Sequence, residues 1–151
     1  MTSESARMSS ASEARFRVDA PNSRPRAVKV IALDAPSETL LRDLARRPWN
    51  GAAFFTASDL ASDPARLGEE IDSADVVVMV ATAGGRQRHE ALIGEACSRR
   101  QVTTTGLILC DAGTSDEVLS EALSRLRPWM LMLAIANSRD YIEDMLVALR
   151  A

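Results

Sequence analysis

The sequence contains few aromatic residues and no long apolar run. Aromatic residues make up 4% of the 151 residues, although 46% are apolar. The core must therefore be built mainly from Ala, Val, Leu and Ile side chains, which is typical of a sheet covered by helices. A chain of this length is enough for one such core. No apolar run exceeds strand length, so we expect no export signal and no membrane-spanning helix.

Cysteine and basic residues are also too scarce for several classes of protein. Cys97 and Cys110 are the only cysteines, and neither has a cysteine or histidine at metal-ligand spacing. We therefore expect a reduced, cytoplasmic protein without a metal site or a cofactor. The 21 acidic residues outnumber the 18 Lys and Arg residues, and no basic stripe is present. Nucleic acid is consequently not an expected partner.

Residues 1–26 differ in composition from the remainder of the chain. They are rich in Ser, Ala and Arg, include Pro21 and Pro25, and lack a sustained apolar period. We predict a flexible N-terminal tail, with a partner-binding segment as the alternative. Residues 27–151 are predicted to form a single α/β domain.

Apolar strand-like runs alternate with amphipathic helical ones from Ala27 onward. This alternation predicts a three-layer, Rossmann-like sandwich, in which a mostly parallel five-stranded sheet carries five helices on its two faces. The run 75–82 is apolar at successive positions, so we expect it to be a central strand covered on both sides. The other predicted strands are 28–33, 52–56, 103–110 and 130–136. The helices begin near 36, at 63, after the double glycine, near 114 and at 138.

Helical spacing and capping residues predict finer details of these helices. Leu92, Val118 and Tyr141 belong to apolar stripes that we expect to face the sheet. Thr114 and Glu117 have the spacing of a capping box, in which each side chain bonds to an amide at the helix start. Gly106 lies within a predicted strand, where we expect it to permit close packing of a helix rather than the approach of a ligand.

Polar residues and glycines follow several of the predicted strands. Because ligands gather beyond the carboxyl ends of parallel strands, we expect these residues to line one crevice. Arg86 and Arg88, near a helix N-terminus, are candidates to bind a phosphate or carboxylate. The alternative is ordinary loop polarity without a site. The candidate residues are Asp34, Ser37, Thr82, Gly84, Gly85, Arg86, Cys110, Asp111 and Asn137.

Roughly residues 74–142 resemble part of the FtsZ/tubulin superfamily. Asp75 to Gly85 resembles the strand and turn that enter its glycine-rich phosphate loop, and the segments that follow are similar in order and spacing to successive elements of FtsZ. The resemblance implies a nucleotide-binding α/β fold. The later segments are 91–96, 105–109, 123–129, 131–136 and 137–140.

The chain departs from that family at the positions that contact phosphate. A long glycine-rich stretch lets backbone amides approach phosphate oxygens, whereas here only Gly84 and Gly85 precede the bulky Arg86. The first strand leads to Asp34, which repels phosphate, and to Pro36, which lacks an amide. The chain also ends before the family's hydrolytic loop, so we expect no polymerising GTPase.

Two functions remain open from sequence. The first is a non-catalytic accessory domain that binds a protein partner or forms a homo-oligomer. The second is a small-molecule or nucleotide-binding domain that holds an anionic ligand at the Gly84-Gly85-Arg86 turn. No catalytic residue is assigned; the single histidine, His89, is a general-base candidate without an identifiable nucleophile.

Overall fold

A computed structural model describes residues 26–149 and Ala151 of the chain. Apart from Arg26, the predicted N-terminal tail lies outside the described residues. The strands are β1 (Val28–Ala32), β2 (Ala52–Thr56), β3 (Val76–Thr82), β4 (Thr103–Leu109) and β5 (Met132–Ala136). The helices are α1 (Ala35–Leu44), α2 (Ala57–Ala61), α3 (Pro64–Asp72), α4 (Glu90–Arg99), α5 (Asp116–Leu126) and α6 (Arg139–Ala148).

The five strands form one sheet in the order β2-β1-β3-β4-β5, and every neighbouring pair is parallel. The predicted α/β sandwich is therefore confirmed, with β3 at the centre. Because all strands are parallel, their carboxyl ends lie along one edge of the sheet. The loops that follow β1, β3, β4 and β5 consequently share that edge, where open α/β sheets bind ligands.

Each face of the sheet has its own apolar core, and β3 contributes to both. Val77, Met79 and Ala81 pack into the cluster under α2, α3, α4 and α5. Val78 and Val80 pack into the cluster under α1 and α6. Alternate side chains of a strand point to opposite faces, so a strand covered on both sides must be apolar at every position. This explains the unbroken apolar run that predicts a central strand.

Several finer predictions are wrong. Leu92, Val118 and Tyr141 are 41%, 37% and 45% exposed, because only the centre of each helical stripe reaches the sheet. Ser115 caps α5 by accepting a hydrogen bond from the Val118 amide. Thr114 is not the cap, since its hydroxyl bonds to Asp111 instead.

The structure also contains a helix that the periodicity did not predict, so the described part of the chain has six α-helices rather than five. Helix α2 is one short turn that starts directly after β2. Its cap is the last strand residue, Thr56, whose hydroxyl accepts from the Asp59 amide at 3.1 Å. A five-residue helix offers too few apolar positions to establish a period.

Gly106 permits close packing, but of the segment entering β5 and not of a helix as the sequence predicted. It is buried in β4, and a Cβ atom there would collide with the sulfur of Met130 and with the Leu133 side chain. The missing side chain therefore lets the segment entering β5 close over the sheet.

Candidate functional site

The Asp34 carboxylate organises the carboxyl-end edge between β1 and β3. It is 4% exposed and caps α1 by accepting from the Ser37 amide at 3.0 Å. The Thr82 amide donates to its second oxygen at 2.6 Å. The Thr82 hydroxyl lies 3.2 Å from Asp34 Oδ1 and 3.2 Å from the Ser37 hydroxyl. One carboxylate thus joins the first turn of α1 to the end of β3.

Gln87 completes this network, and sequence reasoning missed it. Its Nε2 donates to the Thr82 carbonyl at 2.7 Å and to Asp34 Oδ2 at 3.3 Å. Its Oε1 accepts from Arg125 Nη1 of α5 at 3.3 Å. Gln87 is only 9% exposed. The sequence signal was small: Gln87 lies between two arginines in a loop, and nothing local indicates burial.

The two glycines after β3 have structural roles in this network. Gly84 adopts a φ of 83°, a left-handed conformation that L side chains rarely adopt. A Cβ at Gly85 would lie 2.6 Å from Asp34 Oδ2. Gly85 is therefore needed so that the loop can pass over the carboxylate. The turn also does not lead directly into α4, which begins only at Glu90.

Arg86 lies between two clefts, each of about 340 Å³. One cleft is formed between the β3 turn and α5, where Arg125 and Glu121 face Gly84 and Gly85. The other lies beside the start of α1 and includes Arg88 and Glu38. Each cleft combines cationic and acidic groups. The electrostatics therefore favour anions only modestly.

The remaining candidates lie at the same edge of the sheet but outside the Asp34 network. Asp111 follows β4 and accepts from the Gly113 amide at 2.9 Å and the Thr114 hydroxyl at 3.1 Å, which closes its own loop. Asn137 is an exposed residue after β5. His89 is the exposed residue preceding α4, with a φ of 66° and no side-chain capping bond. The structure thus brings together Asp34, Ser37, Thr82 and Gly85 from the predicted set.

Within residues 26–149 and Ala151, no group of His, Cys, Asp and Glu residues has the arrangement of a metal site. Cys97 and Cys110 are both free thiols. Burial raises the pKa of Cys97 from its ordinary value of 9.0 to about 11, an effect that Arg100 partly offsets. A thiol with a raised pKa is a poor nucleophile at neutral pH.

We therefore expect the two thiols to differ in reactivity. At neutral pH a disulfide reagent should label the partly exposed Cys110 first and Cys97 only after unfolding. Counting the modified thiols with and without denaturant measures this difference. The raised pKa of Cys97 also makes the stability of the fold depend on pH, because the buried site favours the neutral thiol. The stability is fully present below pH 9.0 and is partly lost as the pH rises towards 11, where the unfolded chain ionises more readily than the folded one. Rapid labelling of both thiols in the native protein would contradict this assignment.

No protein-family model matches the chain, and no curated protein matches it either. Among the described residues, no helix is long and apolar enough to cross a membrane.

Proposed function

We propose that this protein is a non-catalytic accessory domain that acts by binding protein, either a different partner or another copy of itself. The observation that carries this proposal is the position of the Asp34 carboxylate at the start of α1. In a phosphate-binding α/β fold, helix amides at such a position bind the anion. Here the protein's own carboxylate already accepts from one of these amides, that of Ser37.

The contacts around Asp34 also leave little room for a phosphate at the start of α1. The Ser37 and Thr82 amides both donate to Asp34, while Pro36 has no amide to offer. Gly85 packs against the carboxylate and has no space between itself and Asp34 for a ligand atom. A phosphate would have to displace a buried anion and also tolerate its charge, which is unfavourable at this short range. The FtsZ-like outline is thus compatible with a domain that does not bind or hydrolyse nucleotide.

Two further properties belong to the same proposal. We infer a reduced, cytoplasmic setting, since Cys97 and Cys110 are free thiols. We also retain the FtsZ/tubulin resemblance as a proposed ancestry for residues 74–142.

The second candidate function is the binding of an anionic small molecule, and the cleft between the β3 turn and α5 favours it. Arg86 and Arg125 both line this cleft, and guanidinium groups bind carboxylates and phosphates in bidentate geometry. Against it, Arg125 is already hydrogen-bonded to Gln87 and lies 3.9 Å from the Glu121 carboxylate. Of the two arginines in this cleft, Arg86 would therefore be the main contact for an anion.

Thermal-shift and calorimetric titrations with GTP, ATP and inorganic phosphate test both functions. We expect no shift and no heat of binding for wild type, for Arg86→Ala or for the control Arg46→Ala, which removes an exposed arginine of the α1 end. If the cleft binds an anion, losing a charge-assisted hydrogen bond of about 1.5–3 kcal/mol weakens binding more than tenfold. A shift that survives in Arg46→Ala but disappears in Arg86→Ala would therefore overturn the accessory-domain proposal.

A further inference from the structure

The two outer strands of the sheet, β2 and β5, have different surroundings, and we call the open sides of these strands the β2 edge and the β5 edge. On the β2 edge, Lys29 Nζ lies 5.8 Å and the Arg66 guanidinium 5.5 Å from the centre of the Phe55 ring. These two cations belong to β1 and α3, because β2 itself contains no charged residue. Proteins usually place charges, proline or a covering element on an open edge strand to prevent pairing with another chain. On the β5 edge, the segment Leu131–Ala136 has neither a charge nor a proline, and it exposes Leu131 by 76%, Met132 by 61% and Ile135 by 44%.

The helix on one side of this edge extends the apolar surface. Arg139 of α6 pairs with Asp43 of α1, and Glu143 pairs with Arg47 in the loop after α1, so that flank of α6 faces the interior of the helical layer. At 100° per residue the opposite flank carries Tyr141, Met145 and Ala148. This flank faces the open side of β5 and has no charge, while Asp140 and Asp144 point to solvent.

The helix on the other side adds both apolar area and a pattern of charge. Val118 and Arg125 of α5 face the β3 turn, so the flank towards the β5 edge carries Leu119 and Leu123. Asp116 and Arg127 lie at the two ends of the same flank, about three turns apart, because helical backbone geometry continues through Arg127. One end of this flank is therefore acidic and the other basic.

We propose that the β5 edge binds the β5 edge of a second copy of this chain, antiparallel and about a two-fold axis, so that the two sheets become one of ten strands. A two-fold interface brings identical surfaces together. The two α5 helices then run antiparallel, and Asp116 of each copy meets Arg127 of the other. The apolar flanks of the α6 helices meet on the opposite face. This proposal rests on the proposed function and names its partner.

The charge pattern is what selects a second copy as the occupant. An unrelated chain would need its own acidic and basic groups at matching positions. The antiparallel copy supplies them by symmetry, and it does so twice. Among the described strands β5 pairs only with β4, so the backbone groups on its other side gain partners in the same step, since antiparallel edge pairing hydrogen-bonds both strands.

Sedimentation of the full-length protein tests the proposal. We expect a dimer at about 100 µM, a concentration at which an interface of standard size is populated. Ile135→Lys places a charge on the edge strand of both copies and should weaken dimerisation at least a hundredfold. Val147→Lys is the matched control, because Val147 is 66% exposed on α6 but lies on its solvent-facing side, and it should leave the dimer intact. Circular dichroism melts establish that both variants fold.

Charge reversal tests the orientation of the two copies. Arg127→Asp should weaken the dimer at least tenfold by placing two acidic groups together, and adding Asp116→Arg should restore it to within about threefold of wild type. A double variant as weak as the single one would overturn the antiparallel arrangement.

A monomeric wild type, or a dimer unaffected by Ile135→Lys, would overturn the proposal and leave the edge to a different protein or to the chain's own N-terminal segment. The sedimentation and the nucleotide titrations test different proposals. A failure to dimerise would not change the expected result of the titrations. Nucleotide binding would overturn the proposed function without altering the sedimentation result.

Discussion

Replacing Asp34 with alanine is expected to destabilise the protein by about 3–5 kcal/mol. The variant loses the cap of α1, worth roughly 0.5–2 kcal/mol. It also leaves the Thr82 amide and one of the two N–H groups of Gln87 Nε2 without an acceptor, while the other N–H keeps its bond to the Thr82 carbonyl; each buried donor left unpaired costs about 1–3 kcal/mol. A domain of this size should then melt roughly 10 °C or more below wild type. Thermal and urea unfolding of the two proteins measure the difference.

Asp63→Ala is the matched control for this experiment. Asp63 caps α3 by accepting from the Arg66 amide at 3.2 Å, but it is exposed and joins no second element. Its loss should cost only about 1 kcal/mol. Formate should restore part of the stability of Asp34→Ala and have no such effect on Asp63→Ala, because only the first variant leaves buried amides that an anion can reach. Equal losses in the two variants would show that Asp34 is merely a helix cap.

Gly106→Val is expected to cost about 2–3 kcal/mol by overpacking. Gly106 is buried in β4 next to central β3, and an added side chain meets Met130 and Leu133. The rigid sheet backbone cannot move away without disturbing its hydrogen bonds to β3 and β5. Urea denaturation should therefore show a lower midpoint with an unchanged slope.

Two further variants identify the cause of that loss. Gly113→Ala adds a Cβ whose nearest neighbour is Asp111 Oδ1 at 3.4 Å in an exposed loop, so it should be nearly neutral. Combining Gly106→Ala with Met130→Ala should cost less than the sum of the two single changes, because the second truncation removes the closer of the two collisions and leaves only the one with Leu133. Additive losses would mean that the collision with Met130 is not the cause.

The α/β fold could be predicted from the sequence because its signals are local and repeated. The run from Val76 to Thr82 is apolar at the positions that face both layers, which is a property of the strand alone. The short helix α2 had no comparable signal, since its start is set by the Thr56 hydroxyl at the end of a strand. The sequence predicted Thr114 as the cap of α5 from its spacing to Glu117, but the closed loop at Asp111 engages the Thr114 hydroxyl and Ser115 is the cap instead.

The candidate site was predicted in part. Asp34, Ser37 and Thr82 were selected because they follow neighbouring strands, and the structure brings them into contact. Asp34 was expected to disfavour phosphate by its charge. Its bond to the Thr82 amide required the fold, because Thr82 lies 48 residues away along the chain.

By itself, the sequence determined that this protein is a helix-covered parallel sheet with β3 at its centre and no long glycine-rich loop, since periodicity, composition and the number of glycines are properties of the chain. Only the tertiary structure decided that Gln87 is buried against Asp34 and that Gly85 is required by contact with it. It also decided that β2 and β5 are the edge strands and that β5 is the one with exposed large apolar side chains. Strand order and the packing of loops depend on contacts between distant residues, which no local pattern encodes.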